Sequence, residues 1–231
     1  MPSEQEVYQL HADQYERLIQ REDYQHNILR ALEMITPLKG LDVLEMGAGT
    51  GRLTRLFNPL VNSILAMDAS ASMLQVARKS LQDSLHQKWN LCAADNRCLP
   101  VPDASADLVI SGWSFCYLAV WGGDRWRQEL ESGMAEVRRT LKPGGRFVIL
   151  ETMGTGFESP QPPEHLAGYF AYLKEQGFAS SWMRTDYQFQ SLQEAVEQAR
   201  FFFGEELAKK VRENYWVVLP ECTGLWWMQI N

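Results

Sequence analysis

Glu45, Gly47, Gly49 and Gly51 stand together in the segment LDVLEMGAGTGRLT, residues 41–54, and Asp68 and Asp95 follow at the ends of two further apolar runs. Glycines at alternate positions let a backbone turn sharply and approach a ligand closely, because they carry no Cβ. Asp68 lies 21 residues beyond Gly47, where an acid reaches the ribose hydroxyls in nucleotide-binding βαβ units. Asp95, in AlaAlaAspAsn, places an acceptor or the neighbouring backbone beside an adenine amino group. The chemistry indicated is therefore recognition of a nucleoside. The glycine spacing is GxGxG rather than the GxGxxG of the dinucleotide fingerprint, and on spacing alone the ligand could be NAD, a flavin or a smaller nucleoside.

Such residues work together only if successive strands end at one edge of a sheet. Leu41, Val43 and Leu44 form an apolar run suited to a parallel strand covered on both faces. Residues 62–68, 91–95, 107–111 and 146–151 predict four more strands. Helices are predicted from Arg52 to Phe57, after Ser70 as N-cap, and from Gln128 to Leu141, where Pro143-Gly144-Gly145 breaks the pattern. Alternating strands and helices predict an α/β fold, a doubly wound, mostly parallel sheet with helices on both faces. Apolar or aromatic side chains from Val7 to Ile35, spaced mostly at three or four, predict an N-terminal helical cover closed by Thr36-Pro37. In the last third, 191–203 and 205–214 read as helices, while 180–189 and 214–220 have strand character and predict an antiparallel C-terminal hairpin. Gly154 to Pro163 reads as a long, lid-like loop. The chain is expected to be a single domain: 1–37 the cover, 38–152 the nucleoside-binding core, and 153–231 the loop, helices and terminal strands.

The bulk numbers agree with a soluble globular protein. The 231 residues are 45% hydrophobic and 22% charged, with a net charge of -7, which argues against a surface for nucleic-acid phosphates. No run approaches the roughly 20 apolar residues of a membrane span, and MPSEQEVYQLHADQ lacks the regions of a signal peptide. A cytoplasmic protein with no membrane partner is expected. Cys92, Cys98, Cys116 and Cys222 show neither CxxC pairing nor a histidine at ligand spacing, so reduced thiols and no metal are expected.

Taken together, GluMetGlyAlaGlyThrGly at 45–51, AspAlaSer at 68–70, AlaAspAsn at 94–96 and LeuLysProGlyGly at 141–145 resemble the ordered motifs of class I S-adenosylmethionine-dependent methyltransferases. The resemblance covers about half the chain and implies a Rossmann-like fold with S-adenosylmethionine as methyl donor and S-adenosylhomocysteine as product. It places Gly47 and Gly49 against the methionine part, Asp68 on the ribose, Asp95 and Asn96 around the adenine, and the backbone at Ser111 facing the sulfonium. Glu45, Ala48, Gly51, Ala69 and Met73 complete the implied cofactor set. The residues fit that ligand physically: it has no pyrophosphate to repel the acids, and its sulfonium cation suits an acidic site with aromatic faces.

For the acceptor, the aromatic residues of SGWSFCYLAVWGGDRW suit an apolar pocket, with Trp113 and Tyr117 its expected walls and Tyr24 a further candidate. Tyr15, His11 and Glu151 are the candidate catalytic groups; Glu151 ends the fifth strand, and Tyr15-Glu16 resembles a family motif near the methionine end. His165 is a weaker candidate, and the role of Glu221, beside Trp226 and Trp227, is open. The likeness is greatest to the small-molecule group that includes ubiquinone and menaquinone methyltransferases, which implies a small-molecule acceptor and a monomer or homodimer. Methylation of protein or RNA, or a non-catalytic S-adenosylmethionine sensor or scaffold, are the alternatives.

Overall fold

The computed structural model describes residues 3–230. Three helices, α1 (Glu4–Leu10), α2 (Ala12–Ile19) and α3 (Asn27–Ile35), precede the first strand, β1 (Asp42–Met46). Then follow α4 (Arg52–Phe57), β2 (Ser63–Asp68), α5 (Ala71–Leu81), β3 (Trp89–Ala93), β4 (Ala106–Gly112), α6 (Tyr117–Val120), α7 (Trp126–Thr140) and β5 (Leu141–Thr155). The last third holds α8 (Ala167–Glu175), β6 (Ala179–Arg184), β7 (Tyr187–Gln188), α9 (Leu192–Phe203), α10 (Glu205–Glu213), β8 (Val218–Leu219) and β9 (Glu221–Gln229).

The main sheet has the order β3-β2-β1-β4-β5-β9-β6, and β7 pairs separately with β8. The first five strands run parallel, and β9 is antiparallel to both β5 and β6. Each parallel strand sends alternate residues to opposite cores. Val109, Phe147 and Ile149 meet α7 and α8, while Leu108, Ile110, Val148 and Leu150 meet α3 and α4. The strand order reverses between β1 and β4, so their connections leave in opposite directions and open a crevice at the carboxyl ends. The doubly wound sheet with an antiparallel C-terminal pair is the expected architecture.

Three details differ from the pattern read in the sequence. The N-terminal cover is three helices: His11, at φ -126°, separates α1 from α2, and Asp23 and His26, at positive φ, separate α2 from α3; Asp23 then caps α3, accepting N–H bonds from Asn27 at 2.7 Å and Ile28 at 3.1 Å. The long terminal strand is ECTGLWWMQ, not 214–220. Lying between β5 and β6 it is covered on both sides and shows no alternation, and Gly224 supplies room for a ring: a Cβ there would stand 2.3 Å from Trp226. The loop expected as a lid folds back on its own strands, with Gln161 N–H on the Met153 carbonyl at 2.7 Å and Gly156 N–H on Pro220 at 2.7 Å.

Strand β9 begins with a buried acid. One Glu221 oxygen accepts the Thr152 hydroxyl at 2.9 Å, and the other has no partner among the described residues. Burial, reinforced by the charge of Glu22, pushes its carboxyl up to about 8. Above its ordinary value near 4.5 the unfolded chain releases this proton while the native state keeps it, so stability falls as pH rises through that window. Glu221→Gln is expected to flatten the fall by up to about 1.4 kcal/mol per pH unit. Denaturation midpoints taken across the window check it, and curves parallel to those of the wild type would contradict it.

Candidate functional site

A cavity of about 820 Å³ opens at the crevice, bordered by the glycine turn, the start of α5, the segment after β4, and α1 and α2. That volume lies in the upper part of the range for small-molecule sites, roughly 300–1,000 Å³. The turn comes close to the segment after β4 because Gly47 has φ +69°, and a Cβ there would stand 1.8 Å from Ser114 Oγ. A side chain at 47 would therefore have to displace the neighbouring segment. At Gly49 a Cβ would meet only Met73 at 3.5 Å and Tyr15 at 4.0 Å, so a cradle stays open above the backbone.

Asp68 ends β2 with its carboxylate accepting the N–H groups of Gly49 at 2.8 Å and Ser70 at 2.7 Å. Those bonds fix its direction and leave a lone pair on each oxygen for a ligand. Burial raises its pKa, and the two N–H bonds oppose that shift. Met73 and Ala69 line the cavity beside it. Asp95 follows β3 in a turn, where Arg97 binds both its oxygens and continues to Glu129 at 2.6 Å. Asn96 reaches back to Ser114 Oγ at 3.4 Å, tying this turn to the segment after β4.

The inner end of the cavity carries charge. Glu45, 2% exposed, accepts the Thr54 hydroxyl at 2.5 Å, and burial pushes its carboxyl up to about 7. Arg52 pairs with Glu22 of the loop after α2 and lies 3.4 Å over the centre of the Trp113 ring. Trp113 itself has φ +50°, an outlier for a bulky residue that costs about 1–3 kcal/mol and is found mainly at ligand sites. Tyr15 lines the same end, and burial lifts its phenol to about 12, so it stays protonated near neutrality and can donate a hydrogen bond. At the outer end Tyr8 and Tyr117 join hydroxyl to hydroxyl at 2.7 Å, and Trp121 stacks on Tyr117 with centroids 4.4 Å apart.

Residues 44–149 match the family model described as "Methyltransferase domain". The chain is 33% identical over 121 residues to a demethylmenaquinone methyltransferase of Tropheryma whipplei (strain Twist), covering 52% of this chain and 46% of that protein. It is 36% identical over 139 residues to a malonyl-[acyl-carrier protein] O-methyltransferase of Marinomonas sp. (strain MWYL1), covering 58% and 46%. Residues 44–149 are thus similar to a methyltransferase domain. In fold it is similar to the YcgJ protein of Bacillus subtilis, with a TM-score of 0.58 at 16% identity over 90% of this chain and 99% of that one. The matches lie in the methyltransferase core, and the chain spans about half the length of the curated relatives it matches.

Of the residues expected at the site, Glu45, Gly47, Ala48, Gly49, Asp68, Ala69, Met73, Asp95 and Asn96 all border the cavity, as do Trp113, Tyr117 and Tyr15. His165 and Glu221 do not border it, and neither do five residues expected at the site. Gly51 faces α5, where a Cβ would stand 3.3 Å from Ala77. Ser111 is fully buried and donates to the Met46 carbonyl at 3.1 Å, which binds β4 to β1; the neighbouring wall is Gly112 and Ser114. Glu151 shares the face of Phe147 and Ile149 and so turns under α8, accepting from Cys116 N–H at 3.0 Å and Tyr169 at 3.2 Å. His11 packs edge-on against Phe201 at 5.3 Å, and the Tyr24 hydroxyl accepts from Gln25 at 3.1 Å, both away from the cavity. Conversely Tyr8, Arg52 and Ser114 border it without having been anticipated. A charged residue directly after three glycines was the one available signal, for Arg52.

The approach at Gly47 yields a test. Gly47→Ala is expected to destabilise the domain by about 1–3 kcal/mol through backbone strain and overlap. Ser114→Gly in the same chain removes the colliding Cβ and hydroxyl and is expected to restore part of the loss, leaving the cost of positive φ. Urea unfolding of the two single variants and the double variant measures the coupling; strictly additive effects would show that the contact is unimportant.

Proposed function

We propose that this chain transfers a methyl group from S-adenosylmethionine to a nucleophilic O, N or C atom of a small molecule. The observation that carries the reading is one cavity with two chemically different ends, a polar cradle at the glycine turn continuous with a wall of aromatic rings. The residues fit the donor. Gly49 leaves an open cradle, Asp68 offers an acceptor lone pair on each oxygen, and Glu45 and Asp68 with the ring of Tyr15 favour a cation. Asp95 is occupied by Arg97, so Asn96 and the adjacent backbone are left to meet the adenine.

When bound, the donor supplies an electrophilic methyl on a positive sulfur, so the protein has little covalent chemistry to perform. Its residues align the acceptor and exclude water, which can contribute roughly 7–11 kcal/mol. Trp113, Tyr117 and Trp121 suit an acceptor with a flat apolar body, and Tyr15 can hydrogen-bond to its nucleophilic group. His11 and Glu151 have no part in this reading, since neither borders the cavity. A net charge of -7 supports a small acceptor over RNA.

Asp68→Ala is expected to weaken S-adenosylhomocysteine binding by about 1–3 kcal/mol, the cost of unpaired ribose hydroxyls. Calorimetry reads this directly, and an unchanged affinity would remove Asp68 from the ribose. Turnover on phenols, amines and quinols then tests the transfer; binding with no methylation of any acceptor would favour the sensor.

A further inference from the structure

The Arg52 guanidinium is half-buried and incompletely used. Its side chain is 13% exposed, yet of its five N–H donors only one on Nη1 is bonded, to Glu22, and the other four have no hydrogen-bond partner among the described residues. It borders the cavity and lies flat enough on Trp113 for its carbon to stand 3.4 Å over the ring. Glu22 on one side and the ring beneath hold the fork in place, and the ring is held in turn by backbone at positive φ. None of its nitrogens is a buried atom without a partner, so the unbonded N–H groups are open to the cavity and available to a ligand, beside a tryptophan whose strained backbone is itself costly. The open donors and the strain persist together where a ligand completes the site.

We propose that Arg52 is the cavity's carboxylate-binding residue, receiving a planar monoanion through the open edge of its guanidinium. The planar fork matches a carboxylate in two parallel hydrogen bonds. Glu45 and Asp68 line the same cavity and oppose a doubly charged group such as phosphate. The proposal rests on the donor assignment above, and it leaves two sources of the same chemistry: the amino-acid end of the methyl donor or an acidic acceptor.

Calorimetry with S-adenosylhomocysteine and with 5′-methylthioadenosine, the same thioether without the amino-acid end, separates them. Arg52→Gln and Arg52→Lys are compared with wild type, and benzoate is then titrated into each protein saturated with S-adenosylhomocysteine. If the donor's carboxylate is bound, Arg52→Gln lowers S-adenosylhomocysteine affinity about 10- to 100-fold and leaves 5′-methylthioadenosine within about twofold; Arg52→Lys, which keeps the charge, falls between. If the acceptor's is bound, both nucleosides keep their affinity, and benzoate binds the wild type but not Arg52→Gln. An equal loss for both nucleosides, or no change in either together with benzoate binding that is absent or indifferent to residue 52, overturns the proposal. Wild-type protein that binds neither nucleoside overturns the cofactor reading and this proposal with it, an outcome distinct from the others because it appears without any substitution.

Discussion

The site depends on the approach of two backbone segments, the turn at 47–49 after β1 and residues 112–114 after β4. Adjacent parallel strands are linked side by side through residue pairs such as Met46 and Ser111, so the segments leaving them would be forced together unless one lacked side chains. Gly47 meets that condition, with Ser114 filling the place its Cβ would take. From this contact follow the direction of α4, which carries Arg52 inward, and the position of Trp113 above it. Asn96 bonds to the same Ser114, so three strand ends are tied at one point.

The charged groups around this point divide the work of docking and of binding. Arg55 pairs with Glu16 at 3.0 Å, and Arg52 pairs with Glu22, so two residues of α4 hold the N-terminal cover against the core. Buried pairs of this kind add little net stability, because desolvation offsets much of their attraction, but breaking one partner leaves a charge stranded. Their effect is to fix where α2 sits. The acids facing the cavity differ from one another. Asp68 receives two backbone N–H groups that stabilise its charge, whereas Glu45 has one hydroxyl and a carboxyl near 7. One is suited to accept hydrogen bonds permanently, the other to change charge with its surroundings.

What could be read in the sequence follows from the range of the interactions concerned. The glycine turn, Asp68 and the five parallel strands are local patterns, and each was legible, including Ser70 as the cap of α5, where its hydroxyl accepts from Met73 N–H at 3.4 Å. The side to which an end-of-strand residue turns is not local. Glu151 follows Phe147 and Ile149 by strand parity, but only the presence of α8 makes that face a covered one, and the 167–175 segment gave no clear helical signal. Ser111 likewise lies one residue short of the wall, at a position where the neighbouring strand supplies its partner. Strand β9 escaped notice because a strand covered on both sides loses the alternation by which strands are recognised.

The two ends of the cavity differ in how they are built, and this bears on how one fold can serve many acceptors. The cradle end is formed by strand ends and by backbone N–H groups, and it can move only if the sheet moves. The outer end, proposed for the acceptor, is formed by α1 of 7 residues and α6 of 4 residues, joined by the Tyr8–Tyr117 hydroxyl pair, and by the hold of Ser70 and Ser72 on the Tyr8 carbonyl. Short elements with few buried contacts are the first to open and the easiest to exchange without loss of the core. On the proposed reading, substitution there can change the acceptor while Gly47, Asp68 and the sheet preserve the donor site, which would be the physical reason that the sequence points to the cofactor end far more sharply than to the molecule placed opposite it.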